Sequence, residues 1–413
     1  LFKNILKKEI EIGIPYATLK RGGVPMNKTR SVFLYFLFPF LLLSFPFPLS
    51  SQEEGEQGQE EKQEKNGSTS GEIRFSGFVD GYYSYNFGKP PSGKNTLTNF
   101  DFYHNAFSLN LAEVVIEKEG DPIGFRMDLD FGPTADWVAG YNLYGEPATP
   151  SFETTFFKHI QQGFFVWHLT PKLTLIGGKT VTNMGFEVIE TKDNWNYTRS
   201  LGFAYAVPYY HTGFQLSYTP LETLKVSAWL TNGWNTTIDN NKIKTGHLQI
   251  GFTPSEVFSL TLNWLGPEES FDTYKRKHVV EGIVTGASGK IRWAGIVDRG
   301  WQKGIDEEGT FQDGQTYLVI GAYLRYQILE KTALALRYEY SRDPDNVLYG
   351  AGVDGGVRVQ EGTVTMEQMY GSSLLLRLEY RRDFADQDIF EKKGVDGGVK
   401  TQDRVVLGTV VSF

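Results

Sequence analysis

The sequence predicts an all-β protein, an antiparallel up-and-down transmembrane β-barrel of about sixteen strands. Three observations carry this. Apolar and polar residues alternate with period 2 from Glu72 to Phe413, the connections between the alternating segments are by turns short and long, and an export-like segment stands ahead of them.

The alternation is read segment by segment. In Ala333 to Arg342, Leu334, Leu336, Tyr338 and Tyr340 share one face, and Arg337 and Glu339 lie on the other. Leu374, Leu376, Leu378 and Tyr380 oppose Arg377 and Glu379 in the same way. Phe125, Met127, Leu129 and Phe131 alternate with Arg126, Asp128 and Asp130; Phe258, Leu260, Leu262 and Trp264 alternate with Ser259, Thr261 and Asn263. Successive strand side chains point to opposite sides, so each segment has one apolar and one polar face. After Leu111 the alternation breaks: Glu113 would face lipid unless a β-bulge resets the register.

A soluble sandwich could share this pattern, and the connections separate the two cases. Short turns fall at 120–122, 170–172, 219–223, 253–257, 287–289, 329–332 and 370–373. Longer polar connections fall at 88–103, 132–158, 182–207, 234–243, 267–276, 301–313, 343–357 and 384–400, and no helical stretch stands out in any of them. Strict alternation of short and long is the pattern of periplasmic turns and extracellular loops. An even strand count puts both ends of the barrel on the periplasmic side.

Composition bounds the remaining classes. A mean hydropathy of -0.32 excludes a polytopic helical membrane protein but not a barrel, whose strands expose apolar side chains on one face only. The 30 Phe, 22 Tyr and 8 Trp can supply two aromatic girdles. With no Cys, disulfides, thiolate metal sites and a lipidated cysteine anchor are excluded. Residues 1–51 hold 7 Lys+Arg and 2 Asp+Glu, which leaves 34 against 47, a balance of -13, for the rest; nucleic acid is not an expected partner.

Domain organisation follows. Ser31 to Ser50 is almost wholly apolar, preceded by Lys28 and Arg30 and followed by polar residues, as in a secretory signal peptide over 26–51. The alternative is a spanning helix, and Pro39, Pro46 and Pro48 argue against it. Met26 is the expected start, with residues 1–25 upstream of it. Residues 52–71 are expected to be a disordered acidic tail, and 72–413 the barrel.

Thr180 to Gly213, TVTNMGFEVIETKDNWNYTRSLGFAYAVPYYHTG, resembles the signature of the OmpL-like β-barrel porin family. Gly77-Phe78-Val79-Asp80 with Tyr82 and Tyr83, Phe125 to Phe131, Leu230 to Trp234 and the terminal strand resemble its other blocks. The resemblance implies an outer-membrane porin whose solute is undefined. A last strand with Val405, Leu407, Thr409, Val411 and Phe413 on one face resembles the signal read by the outer-membrane barrel assembly machinery. Outer-membrane lipid and this machinery are the expected partners, with a homo-oligomer open.

Candidate sites come from the long connection and from strand parity. Asn183 to Pro208 could fold inward and constrict the pore, placing Glu187, Glu190, Asp193 and Arg199 where ions pass; the alternative is an ordinary outward loop. Its apolar Phe186, Val188, Ile189, Trp195, Leu201 and Phe203 need a surface to pack on. Parity sends Asp80, Arg126, Asp128, Asp130, Arg325, Arg337, Glu339, Arg377, Glu379 and Arg404 into the lumen, where mixed signs favour cross-strand pairs over a one-sign filter.

Two further features have plainer readings. GVDGGV recurs at Gly352–Val357 and Gly394–Val399; one Asp per loop is too few for Ca²⁺, so a turn motif is expected. His104 and His211 could serve a barrel-rim hydrolase, yet no Ser stands in a nucleophile context, so no catalytic residue, metal or cofactor is expected. The predicted function is passive diffusion of small hydrophilic solutes or ions. A surface anchor or adhesin is the alternative, and sixteen strands leave a wider lumen than that role needs.

Overall fold

Strands that are apolar on one side and charged on the other survive in a bilayer only if the charged sides face one another, which a sheet achieves by closing. The computed structural model describes residues 71–140, 157–239, 243–269, 276–303, 314–350 and 355–413. Among them sixteen strands form one closed antiparallel barrel. Residues 1–70, with the expected signal peptide and nearly all of the acidic tail, lie outside the described residues, as does Asp354 of the first GVDGGV copy.

The barrel runs through β1 (Ile73–Asn86), β2 (Ala106–Lys118), β3 (Ile123–Phe131), β4 (Ile160–Thr170), β5 (Leu173–Val181) and β6 (Tyr210–Leu221). It continues through β7 (Leu224–Thr231), β8 (Thr245–Ser255), β9 (Phe258–Glu269), β10 (Arg276–Ser288) and β11 (Ile291–Lys303). It ends through β12 (Gln315–Leu329), β13 (Thr332–Asp343), β14 (Val357–Tyr370), β15 (Leu374–Ala385) and, after a small hairpin of β16 (Phe390–Lys392) with β17 (Val395–Val399), β18 (Thr401–Ser412). β18 closes the cylinder on β1, with Phe78 opposite Ser412 and Asn86 opposite Arg404. Gly77 and Phe413 add a reciprocal pair of backbone hydrogen bonds of 3.2 and 3.0 Å.

The faces separate cleanly. Leu336, Leu378, Leu407 and Phe413 are exposed on the outside, while Arg337, Glu339, Arg377 and Glu379 are buried. The parity break at Glu113 is absorbed by a bulge: Asp80 pairs with Leu111 but Gly81 pairs with Leu109, leaving Asn110 as the extra residue. Asn110 and Leu111 are therefore both buried, Leu109 stays exposed, and Glu113 is carried inward. Gly132 lies against this bulge with φ +125, and a Cβ there would meet the Asn110 carbonyl oxygen at 2.6 Å.

One expectation about the long connections changes. The 132–158 connection was expected to lack a helix, but it opens with α1 (Pro133–Gly140). Proline in the first turn and Asp136 near the N-terminus suit a helix start, and Ala135 and Val138 bury one side. Two turns are too short to display a 3.6-residue period in sequence. The GVDGGV repeat has a backbone reason: Gly355 and Gly356 have φ +80 and +71, and Gly397 and Gly398 have φ +79 and +86. A Cβ on Gly356 would meet Asp343 O at 2.2 Å, and one on Gly398 would meet Asp388 O at 2.5 Å. Both copies thus use a glycine pair in the left-handed region, the first just ahead of β14 and the second within β17.

Candidate functional site

The connection from β5 to β6 turns into the barrel. Its neck is closed by the Thr182 N–H donating to Tyr209 O at 2.9 Å. A 3-10 turn at Thr191–Asp193 and a π-helical turn at Gly202–Ala206 shape its middle. Every residue from Asn196 to Tyr210 is buried. Backbone placed there needs hydrogen-bond partners, because an unbonded buried amide costs about 1–3 kcal/mol.

The wall supplies those partners from its charged face. Glu379 accepts the Tyr197 and Thr198 N–H groups at 2.5 and 3.0 Å. Glu339 accepts from the Leu201 and Gly202 N–H groups, and Glu281 from Gly185 at 2.7 Å. Arg337 donates to Thr198 O at 2.5 Å and Arg381 to Arg199 O at 2.6 Å, while Arg377 donates to Thr191 O and Asn194 O. Alternating carboxylates and guanidiniums of β13 and β15 therefore read the alternating donors and acceptors of the loop backbone. Such charge-assisted bonds are roughly twice as strong as neutral ones.

Side chains reinforce the seat. Arg337 pairs with Glu187 of the loop at 2.7 Å and with Glu361 at 2.6 Å. Asp80 accepts from Thr191 Oγ1 at 2.7 Å, Asn110 Nδ2 at 2.8 Å and Tyr197 OH at 2.9 Å. The Tyr197 ring fits beside Gly408, where a Cβ would approach it to 2.1 Å. Arg199 folds back on its own loop, donating to Tyr197 O at 2.6 Å and Val188 O at 2.9 Å, and also to Ile189 O. Burial holds the Arg199 guanidinium below its usual basicity, against the pull of Glu187 and Asp80.

The four constriction candidates thus have different surroundings. Glu187 and Arg199 are buried in the seat, whereas Asp193 is exposed and pairs with Lys192 at 2.6 Å. Glu190 is raised above the ordinary carboxylate range, first by burial and then by the neighbouring Asp128 and Asp193 carboxylates. Of the parity candidates, Arg126 bonds Asp128 at 2.8 Å, Arg325 and Arg377 share Glu367 at 2.7 and 2.8 Å, and Arg404 reaches Asp101 at 3.1 Å. Asp130 is the register partner of Glu113, and both are buried. His104 Nδ1 accepts from Asn86 N at 2.9 Å, and His211 bonds Gly233 O and Thr182 Oγ1.

Some of the seat escaped the sequence reading. Arg381 and Asp383, paired at 2.8 Å, continue the parity of Arg377 and Glu379 by four residues, so the signal was present. Glu281 and Asp298, register partners on β10 and β11, have only apolar or glycine residues two positions away on the same face and gave less signal. The first long connection also takes part: Asn99 donates to Ala204 O at 2.9 Å, and Phe100 packs by Tyr209 with ring centroids 5.8 Å apart. Nothing local to 88–103 announces that contact.

The family model described as "Putative beta-barrel porin-2, OmpL-like" matches residues 72–413. Among curated proteins, none matches the chain significantly. Solved structures show the same fold at low identity. An anion-selective porin from Comamonas acidovorans is 10% identical with a TM-score of 0.56, the alignment covering 83% of this chain and 99% of that one. OmpF of Salmonella typhi, in complex with daunomycin, is 12% identical with a TM-score of 0.54, covering 83% and 98%. The trimer form of OmpT, an outer membrane protein of Vibrio cholerae, is 11% identical with a TM-score of 0.54, covering 83% and 100%.

Proposed function

The chain belongs to the OmpL-like family of β-barrel porins, and on that premise we propose that it is an outer-membrane channel for passive diffusion of small hydrophilic solutes or ions, narrowed by the 182–209 loop. The observation that carries this reading is the strapping of that loop to the wall from inside by Arg337, Glu339, Arg377 and Glu379. A loop held by charge-assisted bonds keeps a fixed cross-section, which size selection requires. Asp193 is the exposed member of this set, and its pair with Lys192 leaves little net charge to select ions by sign. Export by a signal peptide and insertion through the C-terminal strand belong to the same reading, and so does a homo-oligomer.

A second reading has its own support. Loop residues Phe100, Leu348, Tyr349 and Phe390 join Phe203 and Tyr205 in one apolar cluster inside the long-loop end of the barrel. A mouth closed in this way suits a non-conducting surface anchor. Planar-bilayer recording of the refolded protein separates the two. Stepwise conductance that rises when residues 187–200 are deleted is the result expected of the channel; a folded barrel that stays silent with and without the deletion would overturn it.

A further inference from the structure

The outer wall carries a feature that passage of solutes does not use. On β11 to β14 one cross-strand row of outward side chains reads Arg299, Leu318, Arg342, Arg358, each the register partner of the next. All three arginines are exposed. Arg342 and Arg358 are direct partners, which sets their Cα atoms about 4.5–5.5 Å apart. Like charges directly opposite destabilise a sheet.

No side-chain ion pair relieves them among the described residues. Neither Arg299, Arg342 nor Arg358 forms an ion pair there, in contrast to Arg382 lower on the same wall, which meets Asp403 at 3.4 Å. Asp386 stands across from Arg358, its Oδ1 accepting from Arg358 N at 2.9 Å and its N donating to Arg358 O at 3.1 Å, and Asp345 Oδ2 accepts from Thr316 N at 2.8 Å; both carboxylates are turned to backbone and pair with none of the three guanidinium groups. The weak contact of Arg299 with Tyr317 O at 3.4 Å carries no charge relief.

The height of the row in the wall says what covers it. The next row towards the short-turn end reads Val297, Ile320, Tyr340, Gln360, Phe384, again in unbroken register. Val297, Ile320 and Phe384 are exposed, as lipid-facing side chains are. Arg342 and Arg358 are each one residue from the long-loop ends of β13 and β14, which places this part of the row at the rim, where headgroups begin. Comparable rim positions just after β1 and on β2 and β3 hold Phe87, Phe107 and Phe131 instead, so the cationic row belongs to one sector.

We propose that this row is a binding surface for a phosphate-bearing lipid of the outer leaflet, one phosphate being shared between Arg342 and Arg358 and Arg299 extending the contact. The planar guanidinium fork matches phosphate oxygens, and one dianionic group between two forks removes the repulsion built into the register. The acyl chains would lie on Val297, Ile320 and Phe384 below. Bound lipid would tie this sector of the wall to the membrane surface.

The test uses the refolded full chain in detergent, with lipid A, dephosphorylated lipid A and inorganic phosphate as probes, read by native mass spectrometry and by the shift in unfolding temperature. Lipid A should bind and stabilise the wild type, dephosphorylated lipid A should not, and R342Q/R358Q should weaken lipid A binding at least about tenfold. R342K/R358K keeps the charge without the fork and should fall between. Both pairs point outward, so heat-modifiable migration should show them folded; Arg74→Gln, at the short-turn end, should bind as the wild type does. Equal binding of the phosphorylated and dephosphorylated lipids would overturn the proposal, as would wild-type affinity in R342Q/R358Q. Stabilisation by inorganic phosphate alone would assign the row to a soluble anion and overturn the lipid. Loss of an oligomer in R342Q/R358Q without any lipid effect would assign it to a second copy.

Discussion

The ring of Tyr197 occupies the space that a side chain at Gly408 would fill, its Cδ2 only 2.1 Å from where a Cβ would stand. One residue is in the inward loop and the other in the last strand, 211 positions apart. Gly408→Ala should therefore displace the loop and destabilise the barrel by about 1–3 kcal/mol. The penalty should shrink in a Tyr197→Ala background, because the clash is then gone. Urea unfolding of the four refolded proteins measures the coupling, and equal penalties in both backgrounds would contradict it.

Glu379 accepts two loop N–H groups and Thr365 Oγ1. Glu379→Ala should leave those donors unsatisfied and loosen the loop by about 1–3 kcal/mol. Hydrogen exchange at Tyr197 and Thr198 should speed up while strand amides keep their protection. Unchanged exchange at those two amides would show the carboxylate to be dispensable.

Leu376 and Arg377 are neighbours in sequence on opposite faces. Leu376→Arg places a charge in lipid at a cost of about 2–4 kcal/mol near the midplane, so folded yield should drop. Arg377→Leu should still assemble, but it frees Thr191 O and Asn194 O and leaves Glu367 to Arg325 alone, so its loop should become sensitive to protease. Equal folded yields of the two variants would refute the assignment of faces.

Glu190 titrates above the ordinary carboxylate range because burial and the Asp128 and Asp193 carboxylates disfavour its charge. A raised folded-state value means that the stabilisation is complete below the ordinary range and is lost as pH rises through the shifted value. The loop should therefore seat more firmly on acidification from neutral pH, seen as slower proteolysis between 183 and 208. Glu190→Gln should flatten that dependence; an unaltered pH profile would remove Glu190 as its source.

Strand identity and face were determined by the sequence alone, because period 2 is a local property: Leu376 and Arg377 part company through backbone geometry whatever surrounds them. The alternation of short and long connections likewise set the up-and-down order, since a two-to-four-residue link allows only antiparallel neighbours. Parity also marked Arg337, Glu339, Arg377 and Glu379 as inward. It could not say what they would meet. Their partners, Thr191 to Gly202, are separated from them by more than 130 residues and lie across the barrel, and the bonds are to backbone groups that every sequence carries. A backbone N–H has no signature in composition. Only closure of the cylinder brought the wall charges to the loop, placed Gly408 beneath Tyr197, and let the bulge at Asn110 turn Glu113 inward.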